Sequence, residues 1–181
     1  MGPEPRQPAP TLRDAEERDL PAVRAIYAHH VETGLGSFEE TAPELSEMTR
    51  RFRAIQALGM PYMVAEIDGG VRGFAYVATY RPRSAYRHTV ENSIYVAPDW
   101  HGRGIAAALL AALIERCTEA GYRQMVAVIG DSGNRASVAL HERLGFRLVG
   151  TLEDVGRKHN RWVDTVLMQR PLGAGHGPVE D

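Results

Sequence analysis

The spacing of apolar residues in the first third of the chain predicts two successive helices. In residues 19–32 apolar side chains recur at helical spacing behind Pro21, a residue that suits the first turn of a helix. Residues 43–58 repeat this spacing and end before Gly59, a typical helix stop. Asp19 stands at the start of the first helix, so we expect its side chain to cap the free N–H groups there.

Strand-like segments replace the helical spacing in the middle of the chain. Residues 62–67 and 71–80 are rich in the apolar, β-branched and aromatic residues that are typical of strands. Residues 68–70, with the sequence DGG, separate them and predict a hairpin turn. A short strand near residues 12–13 and another over residues 88–96 are expected to lie in the same sheet.

Helices and strands alternate in the last third of the chain. The pattern predicts a helix, a strand, a helix and two strands at residues 104–120, 124–129, 134–144, 146–152 and 162–169. Antiparallel pairing followed by a strand, helix, strand crossover indicates an α+β fold. We expect a mixed, mostly antiparallel central sheet with helices on both faces.

Length and end composition predict one domain with two tails. A chain of 181 residues is long enough for one substantial core and too short for two full domains. We expect a single domain over residues 11–172, a disordered tail over the proline-rich residues 1–10 and a flexible tail over residues 173–181. No run approaches the roughly 20 apolar residues of a membrane span, and the N-terminus lacks the build of a signal peptide. These features predict a cytoplasmic protein.

Composition gives no support to several kinds of function. A formal net charge of -2 provides no basic surface for nucleic acid or membranes. The sequence contains no cluster of metal ligands, so we expect no metal. The single cysteine, Cys117, lies in an apolar helical run, where a small buried residue is the favoured interpretation over a nucleophile.

A glycine-rich turn after the third long strand carries the clearest chemical signal. Residues 94–106 pass from a strand through Gly102 and Gly104 into a helix. Glycines let main-chain N–H groups approach an anion closely, the helix directs its positive end there, and Arg103 adds a charge. On the turn alone, a phosphate site and a tight connection that binds nothing are equally good interpretations.

Two motifs in the expected order resolve this choice. The sequence HGRGIA at residues 101–106 resembles the acetyl-CoA signature Arg/Gln-x-x-Gly-x-Gly/Ala of the GCN5-related N-acetyltransferase (GNAT) superfamily, with His101 in the first position. A later helix that opens at Asn134 and ends before Gly145 and Phe146 is similar to the second part of that pattern. The resemblance implies the GNAT acyl-CoA N-acyltransferase fold and acetyl-CoA as cofactor.

A closer resemblance suggests the acceptor. Residues 86–96, 140–146, 156–158 and 161–164 are similar to phosphinothricin and methionine sulfoximine acetyltransferases. This implies transfer of the acetyl group, in a ternary complex, to the α-amine of a small acceptor of the phosphinothricin, methionine sulfoximine or methionine sulfone type. It also implies a homodimer. Two alternatives remain: an N-acetyltransferase of protein or peptide N-termini, and a non-catalytic acyl-CoA sensor.

The resemblance also implies which residues form the site. Implied substrate contacts are Arg81, Pro82, Arg83, Glu91, Asn92 and Ser93. Implied cofactor contacts are Ile94, Tyr95, Val96, Gly102, Arg103, Gly104, Ile105, Ala106, Ala107 and Asn134. Phe38, in a polar loop, is a further substrate candidate, although an aromatic residue there more often packs back on the core. Asn134 is expected to cap its helix as well as to contact the pantetheine arm.

Proton transfer suggests the catalytic candidates. An amine is nucleophilic only when neutral, and Glu91, which interrupts an apolar strand, is our candidate base. The alternative is an ordinary solvent-facing glutamate. By resemblance, a backbone N–H near Val96 stabilises the oxyanion. His141, where many GNAT members have tyrosine, is a candidate acid or rival base, and Tyr95 is a spare proton donor.

Two arginines and two residues of the final hairpin are candidates for contacts near the acceptor. A guanidinium holds both oxygens of a carboxylate, so Arg81 or Arg83 is a candidate for binding that of the acceptor, although a solvated turn is the alternative. In the final hairpin, the resemblance implies acceptor or dimer contacts for Lys158 and Trp162. Ordinary core packing is the safer interpretation for Trp162.

Overall fold

The computed structural model describes residues 9–178. Most of the predicted N-terminal tail, residues 1–8, and the last residues of the predicted C-terminal tail, 179–181, lie outside the described residues. Residues 11–172 contain all the helices and strands that the structure describes. None of the helices in this part of the chain is both long and apolar enough to cross a membrane.

The elements follow the predicted order. The strands are β1 (Thr11–Asp14), β2 (Tyr62–Ile67), β3 (Gly70–Thr79), β4 (Thr89–Val96), β5 (Gln124–Gly130), β6 (Arg147–Lys158) and β7 (Arg161–Pro171). The helices are α1 (Leu20–Thr33), α2 (Leu45–Ala57), α3 (Ile105–Glu119) and α4 (Arg135–Arg143). The largest difference from the prediction is at the end of the chain, where β6 and β7 form one long hairpin.

The described strands form one sheet in the order β1-β2-β3-β4-β5-β7-β6. Every neighbouring pair is antiparallel except β4 and β5, which are parallel and joined through α3. The predicted α+β class, with its mixed and mostly antiparallel sheet, is therefore confirmed. The parallel pair lies near the middle of the sheet, so the crossover places α3 over the central strands.

Helices cover both faces of the sheet, and different side chains pack on the two faces. One face carries an aromatic row, in which Tyr95 of β4 stacks on Phe74 of β3 and meets Tyr27 of α1 edge to face. On the opposite face Gly73 lies against Ile105 and Leu109 of α3. Because side chains alternate along a strand, each residue of β4 can be assigned to the α1/α2 face or to the α3/α4 face.

Asp19 does not cap α1 as predicted. Its side chain makes no cap hydrogen bond to that helix. The carboxylate instead pairs with Arg13 of β1 at 2.7 Å and accepts a hydrogen bond from the Glu16 N–H at 2.8 Å. A buried carboxylate gains more from a guanidinium partner than from a neutral backbone donor, which explains the difference.

The predicted position of the cysteine is confirmed. Cys117 lies on the buried side of α3 and is 0% exposed. Burial raises the pKa of its thiol to about 12. At neutral pH the thiol therefore keeps its proton, and Cys117 is no nucleophile.

Candidate functional site

The central feature of the site is a gap between the two parallel strands. Pairing of β4 with β5 ends at Asn92 opposite Ala127, although β4 continues to Val96 and β5 to Gly130. Beyond Asn92 the two strands separate, so within the described residues no strand pairs with the β5 side of β4 over residues 93–96. Apart from the carbonyl of Val96, which two histidines contact, the backbone groups on that edge are free to bind a ligand. Ile94, Tyr95 and Val96, the predicted cofactor contacts on β4, all lie in this separated segment.

The glycine turn that follows β4 has the conformation of a backbone cradle. Gly102 and Gly104 have φ angles of 74° and 79°, in the left-handed region that favours glycine. A Cβ placed on either residue would meet no atom within 4 Å, so both face open space. In residues 9–178 no backbone carbonyl accepts a hydrogen bond from the N–H of Gly102, Arg103 or Gly104. These free donors lie at the positive end of α3 and suit a diphosphate.

The rest of the predicted cofactor segment consists of the first turn of α3. Ile105 is buried, whereas Ala106 and Ala107 are half-buried beside the turn. Arg103 is exposed, and its guanidinium lies over the Trp100 ring at 4.5 Å from the ring centroid. The positive charge predicted for the turn is therefore present next to the free N–H groups.

His101 contacts the end of β4. Its Nε2 lies 3.1 Å from the carbonyl oxygen of Val96, and Nε2 of His30 in α1 lies 2.8 Å from the same oxygen. Two imidazoles thus hold the last residue of β4, just before the glycine turn. The contact from His30 was not predicted, because nothing in the α1 sequence marks this histidine as a partner of a residue 66 positions away.

Glu91 lies beside the point where β4 and β5 separate, on the α1/α2 face. It pairs in register with Ala78 of β3 and Val126 of β5. The side chain is half-buried, and burial raises the pKa of its carboxyl above the usual value. In the described part of the chain no basic group pairs with it. A half-buried carboxylate without a partner has the properties of a proton acceptor rather than those of a structural ion pair.

A cavity of about 280 Å³ lies on the same face as Glu91. Tyr76 and Ala78 of β3 line it, and they pair with Ser93 and Glu91 of β4. Other lining residues come from α1, α2 and β2. Space for a small molecule is therefore present one strand away from Glu91.

His141 approaches β4 from the opposite face. It is 4% exposed; its Nδ1 lies 2.8 Å from the Ser137 carbonyl oxygen and its Nε2 lies 3.1 Å from Oδ1 of Asn92. Burial lowers the pKa of the imidazole, and the hydrogen bond to Ser137 opposes this. Because the carbonyl requires a proton on Nδ1, Nε2 is the nitrogen that gains or loses the second proton. The ring is thus oriented by two partners.

Asn92 is separated from the other predicted substrate contacts. Glu91 and Ser93 point to the α1/α2 face, whereas Asn92 is buried on the face of α4. Its side-chain amide donates to the Val126 carbonyl at 3.3 Å, and its oxygen contacts His141. The structure therefore gives Asn92 the position of a partner for His141.

Tyr95 belongs to the aromatic row of the α1/α2 face. Its ring lies 5.0 Å from that of Tyr27, 5.2 Å from that of Phe74 and 5.4 Å from that of His30. Burial raises the pKa of its hydroxyl well above the usual value. The hydroxyl holds its proton firmly, so the structure favours a packing role over easy proton donation.

Arg81, Pro82 and Arg83 lie in the exposed connection between β3 and β4. The Arg81 guanidinium lies over the Tyr80 ring at 5.2 Å from the ring centroid. This connection begins just after Thr79, which pairs with Val90 next to Glu91. The arginines are thus at the Glu91 end of the hairpin, and their contact with an acceptor carboxylate stays a prediction.

Asn134 and Phe38 both lie near the end of β5. The Asn134 side chain caps α4 by accepting a hydrogen bond from the Ser137 N–H at 3.2 Å, which confirms the predicted cap. Phe38 is 41% exposed, and its ring covers the backbone at Gly130 and Gly156. The aromatic ring thus packs on the sheet with one part of its surface in solvent, and its contact with an acceptor stays a prediction.

The core-packing interpretation of Trp162 is wrong. Trp162 is 63% exposed on β7, at the outer hairpin of the sheet. Lys158, on β6 of the same hairpin, is only 3% exposed. The exposed tryptophan and the buried lysine are thus the reverse of what is usual for these two residue types. The sequence shows no signal of this reversal.

Comparisons with known proteins agree with this geometry. A family model described as "Acetyltransferase (GNAT) domain" matches residues 12–167. Phosphinothricin N-acetyltransferase of Alcaligenes faecalis is 54% identical over 165 residues, which cover 91% of this chain and 84% of that protein. L-methionine sulfoximine/L-methionine sulfone acetyltransferase of Pseudomonas paraeruginosa is 42% identical, over 90% of this chain and 94% of that protein.

A solved structure shows the same fold. The phosphinothricin acetyltransferase of Sinorhizobium meliloti in complex with AcCoA superposes with a TM-score of 0.92 and 47% identity. The match covers 96% of this chain and 95% of that chain. The separated strands, the glycine turn and these similarities lead to one conclusion: the chain belongs to the GNAT family and is an acetyl-CoA-dependent N-acetyltransferase.

Proposed function

We propose that this enzyme acetylates the α-amine of a small amino-acid-like acceptor of the phosphinothricin, methionine sulfoximine or methionine sulfone type. The names of two relatives, 54% and 42% identical to this chain, support this acceptor class. The observation that carries the proposal is the position of Glu91. Its carboxylate, which has no basic partner among residues 9–178, lies at the point where β4 and β5 separate, one strand away from a cavity of about 280 Å³.

The residues divide into a cofactor side and an acceptor side. On the cofactor side, the N–H groups of the glycine turn hold the diphosphate, and Asn134 contacts the pantetheine arm. On the acceptor side, Glu91 takes a proton from the ammonium group of the acceptor, directly or through a water molecule. Burial raises the pKa of the Glu91 carboxyl, which brings it closer to that of the amine and favours this transfer.

The acetyl group moves without a protein-bound intermediate. Acetyl-CoA supplies the activated acetyl group, which the acceptor amine attacks directly in a ternary complex. Cys117, the single cysteine of the chain, is 0% exposed, and burial raises the pKa of its thiol to about 12. As the amide bond forms and the C–S bond of the thioester breaks, Nε2 of His141, which Ser137 and Asn92 orient from the other face of β4, gives its proton to the departing thiolate.

A panel of acceptors tests the substrate class. Thiol release from acetyl-CoA is measured with phosphinothricin, methionine sulfoximine, methionine sulfone, the common amino acids and peptides with free N-termini. We expect turnover with the first three compounds to exceed that with peptides by at least about tenfold in kcat/KM, which corresponds to about 1.4 kcal/mol. Faster turnover of peptides would favour the N-terminal acetyltransferase, and no turnover of any amine would favour the sensor.

We also propose that the enzyme is a homodimer that pairs through the outer hairpin. β6 is an edge strand of the sheet. Five apolar side chains of the hairpin are 48–63% exposed, namely Leu148, Val149, Leu152, Val155 and Trp162. Clustered exposed apolar residues on an edge strand are typical of an interface, and a second copy presents the same surface.

Light scattering of the wild type and two variants tests this interface. We expect the wild type to have twice the chain mass of 20.0 kDa. Leu152→Asp combined with Val155→Asp should yield monomers, because two charges would enter the interface. Leu58→Asp is the control, since Leu58 is 59% exposed beyond α2. A monomeric wild type, or a double variant that stays dimeric, would contradict the proposal.

A further inference from the structure

The α1–α2 loop, residues 34–44, is tied to the rest of the domain by three separate elements. The hydroxyl of Tyr27 in α1 donates to Glu39 at 2.7 Å and lies 3.0 Å from the Ser37 hydroxyl. Arg51 of α2 pairs with Glu39 at 2.6 Å. Lys158 of β6 donates from Nζ to the Ser37 carbonyl oxygen, also at 2.6 Å. The first two contacts come from helices that flank the loop, whereas the third comes from a residue 121 positions away.

Lys158 is in an unusual environment for a lysine. It is 3% exposed, although all but two of the other β6 residues are exposed to solvent. Burial lowers the pKa of its amine, and the carboxylates of Glu39 and Glu40 oppose this. A lysine is almost never fully buried unless it is paired, and a flexible lysine at an exposed hairpin has solvent as an easy alternative. Its inward orientation indicates that the contact with Ser37 has a role.

Phe38 directly follows Ser37 in the sequence, so this contact lies next to the aromatic residue of the loop. A Cβ on Gly156 would lie 2.3 Å from the Phe38 ring, and a Cβ on Gly130 would lie 3.1 Å from it. The ring thus fits against two strands only because both positions are glycine. Gly36 of the same loop lies beside the Asn134 side chain, since a Cβ there would be 4.0 Å from its Nδ2. The loop therefore crosses the tip of β5, where the gap between β4 and β5 opens.

From these contacts we infer that Lys158 is a positioning residue, which through the Ser37 carbonyl holds Phe38 as a fixed wall of the acceptor site. This rests on the proposed function in one respect, namely that the acceptor binds on the side of the gap that the α1–α2 loop covers. Lys158 touches neither acceptor nor cofactor. The β6–β7 hairpin thereby sets the position of the α1–α2 loop.

Steady-state kinetics of Lys158→Met test the inference. Methionine keeps the length of the side chain and removes the amine, so Ser37 loses its charged partner. We expect the KM for the acceptor to rise about tenfold or more, which is the scale of one charge-assisted hydrogen bond. The KM for acetyl-CoA and kcat should stay within about twofold, because the glycine turn and Glu91 are untouched. The positioning role would be overturned if both KM values rose and kcat fell by the same factor. An unchanged acceptor KM would overturn it as well.

Two glycines of β6 provide a test that leaves Lys158 intact. Gly156→Ala places a methyl group against the Phe38 ring and should raise the acceptor KM as Lys158→Met does. Gly150→Ala, on the same strand, meets nothing within 4 Å and should behave as the wild type. If both alanine variants have the same acceptor KM, Phe38 is not a wall of the site.

Hydrogen exchange separates failure of this inference from failure of the proposed function. Amides of residues 34–40 should exchange at least about tenfold faster in Lys158→Met than in the wild type, with α3 unchanged. This readout needs no acceptor, so it remains decisive even if the panel of amines shows no turnover. Unchanged exchange in the loop would show that Lys158 does not hold it.

Discussion

Replacing Glu91 by glutamine is expected to lower kcat by about 10²- to 10⁴-fold, the usual contribution of a general base. Glutamine has nearly the same shape, and Glu91 has no basic partner in the described structure that would be left unpaired. The fold and the affinity for acetyl-CoA should therefore be retained. Steady-state kinetics with the best acceptor of the panel, together with calorimetry for acetyl-CoA, measure the two effects separately.

A matched variant and a pH profile make this prediction specific. Glu115→Gln changes an exposed glutamate of α3 and should leave kcat unchanged. Because burial raises the pKa of the Glu91 carboxyl, activity should be present above that pKa and be lost as the pH falls through it. The acidic limb of kcat/KM should therefore lie above the ordinary range of a glutamate and disappear in Glu91→Gln. An unchanged kcat would remove Glu91 from the mechanism.

The second large effect is expected from Gly104→Leu, which should weaken acetyl-CoA binding at least about a hundredfold. The leucine side chain would occupy the open space in front of the turn, where a Cβ alone meets nothing within 4 Å. Loss of one or two charge-assisted hydrogen bonds to the diphosphate costs about 3 kcal/mol, which corresponds to this factor. Calorimetry measures the affinity directly.

Gly121→Leu is the control, because it imposes the same backbone strain at the other end of α3. Gly104 and Gly121 have φ angles of 79° and 81°, and both face open space. A left-handed leucine costs about 1–2 kcal/mol at either position, so both variants should lose similar thermal stability. Cofactor binding should be lost only in Gly104→Leu. Equal affinities in the two variants would mean that the turn does not hold the diphosphate.

The elements and the glycine turn could be predicted because their signals are local. β2 has the predicted bounds, residues 62–67, because the DGG turn that follows it needs left-handed backbone at Asp68 and Gly69. β6 was predicted to end at residue 152, whereas it extends to Lys158. An irregularity between Leu152 and Gly156, with Asp154 at a φ of 53°, interrupts the alternation on which the prediction depended.

The partners of the site residues could be predicted only in part. Alternation along β4 places Glu91 and Asn92 on opposite faces, whereas the resemblance implies substrate contacts for both. The contact between Asn92 and His141 depends on how α4 packs on the sheet, which a spacing argument does not provide. The same holds for Lys158, because its partner Ser37 lies 121 positions away and neither residue belongs to a motif.

The opposite positions of Glu91 and His141 bear on which of them is the principal base. Glu91 lies on the face that carries the cavity, and His141 lies on the face of α3 and α4, next to the proposed cofactor side. An acceptor amine that enters from the cavity side meets Glu91 first. The geometry therefore supports Glu91 as base and His141 as the group that exchanges a proton on the cofactor side.

Calorimetric titration of the wild-type protein with acetyl-CoA is the most direct test of the central claim, that the free N–H groups of the glycine turn bind the diphosphate of this cofactor. One site per chain is expected, with a Kd on the order of 100 μM or below, inside the range of about 1 μM to 1 mM that is typical of enzyme KM values. Absence of heat and of any shift in thermal unfolding at millimolar acetyl-CoA would contradict it.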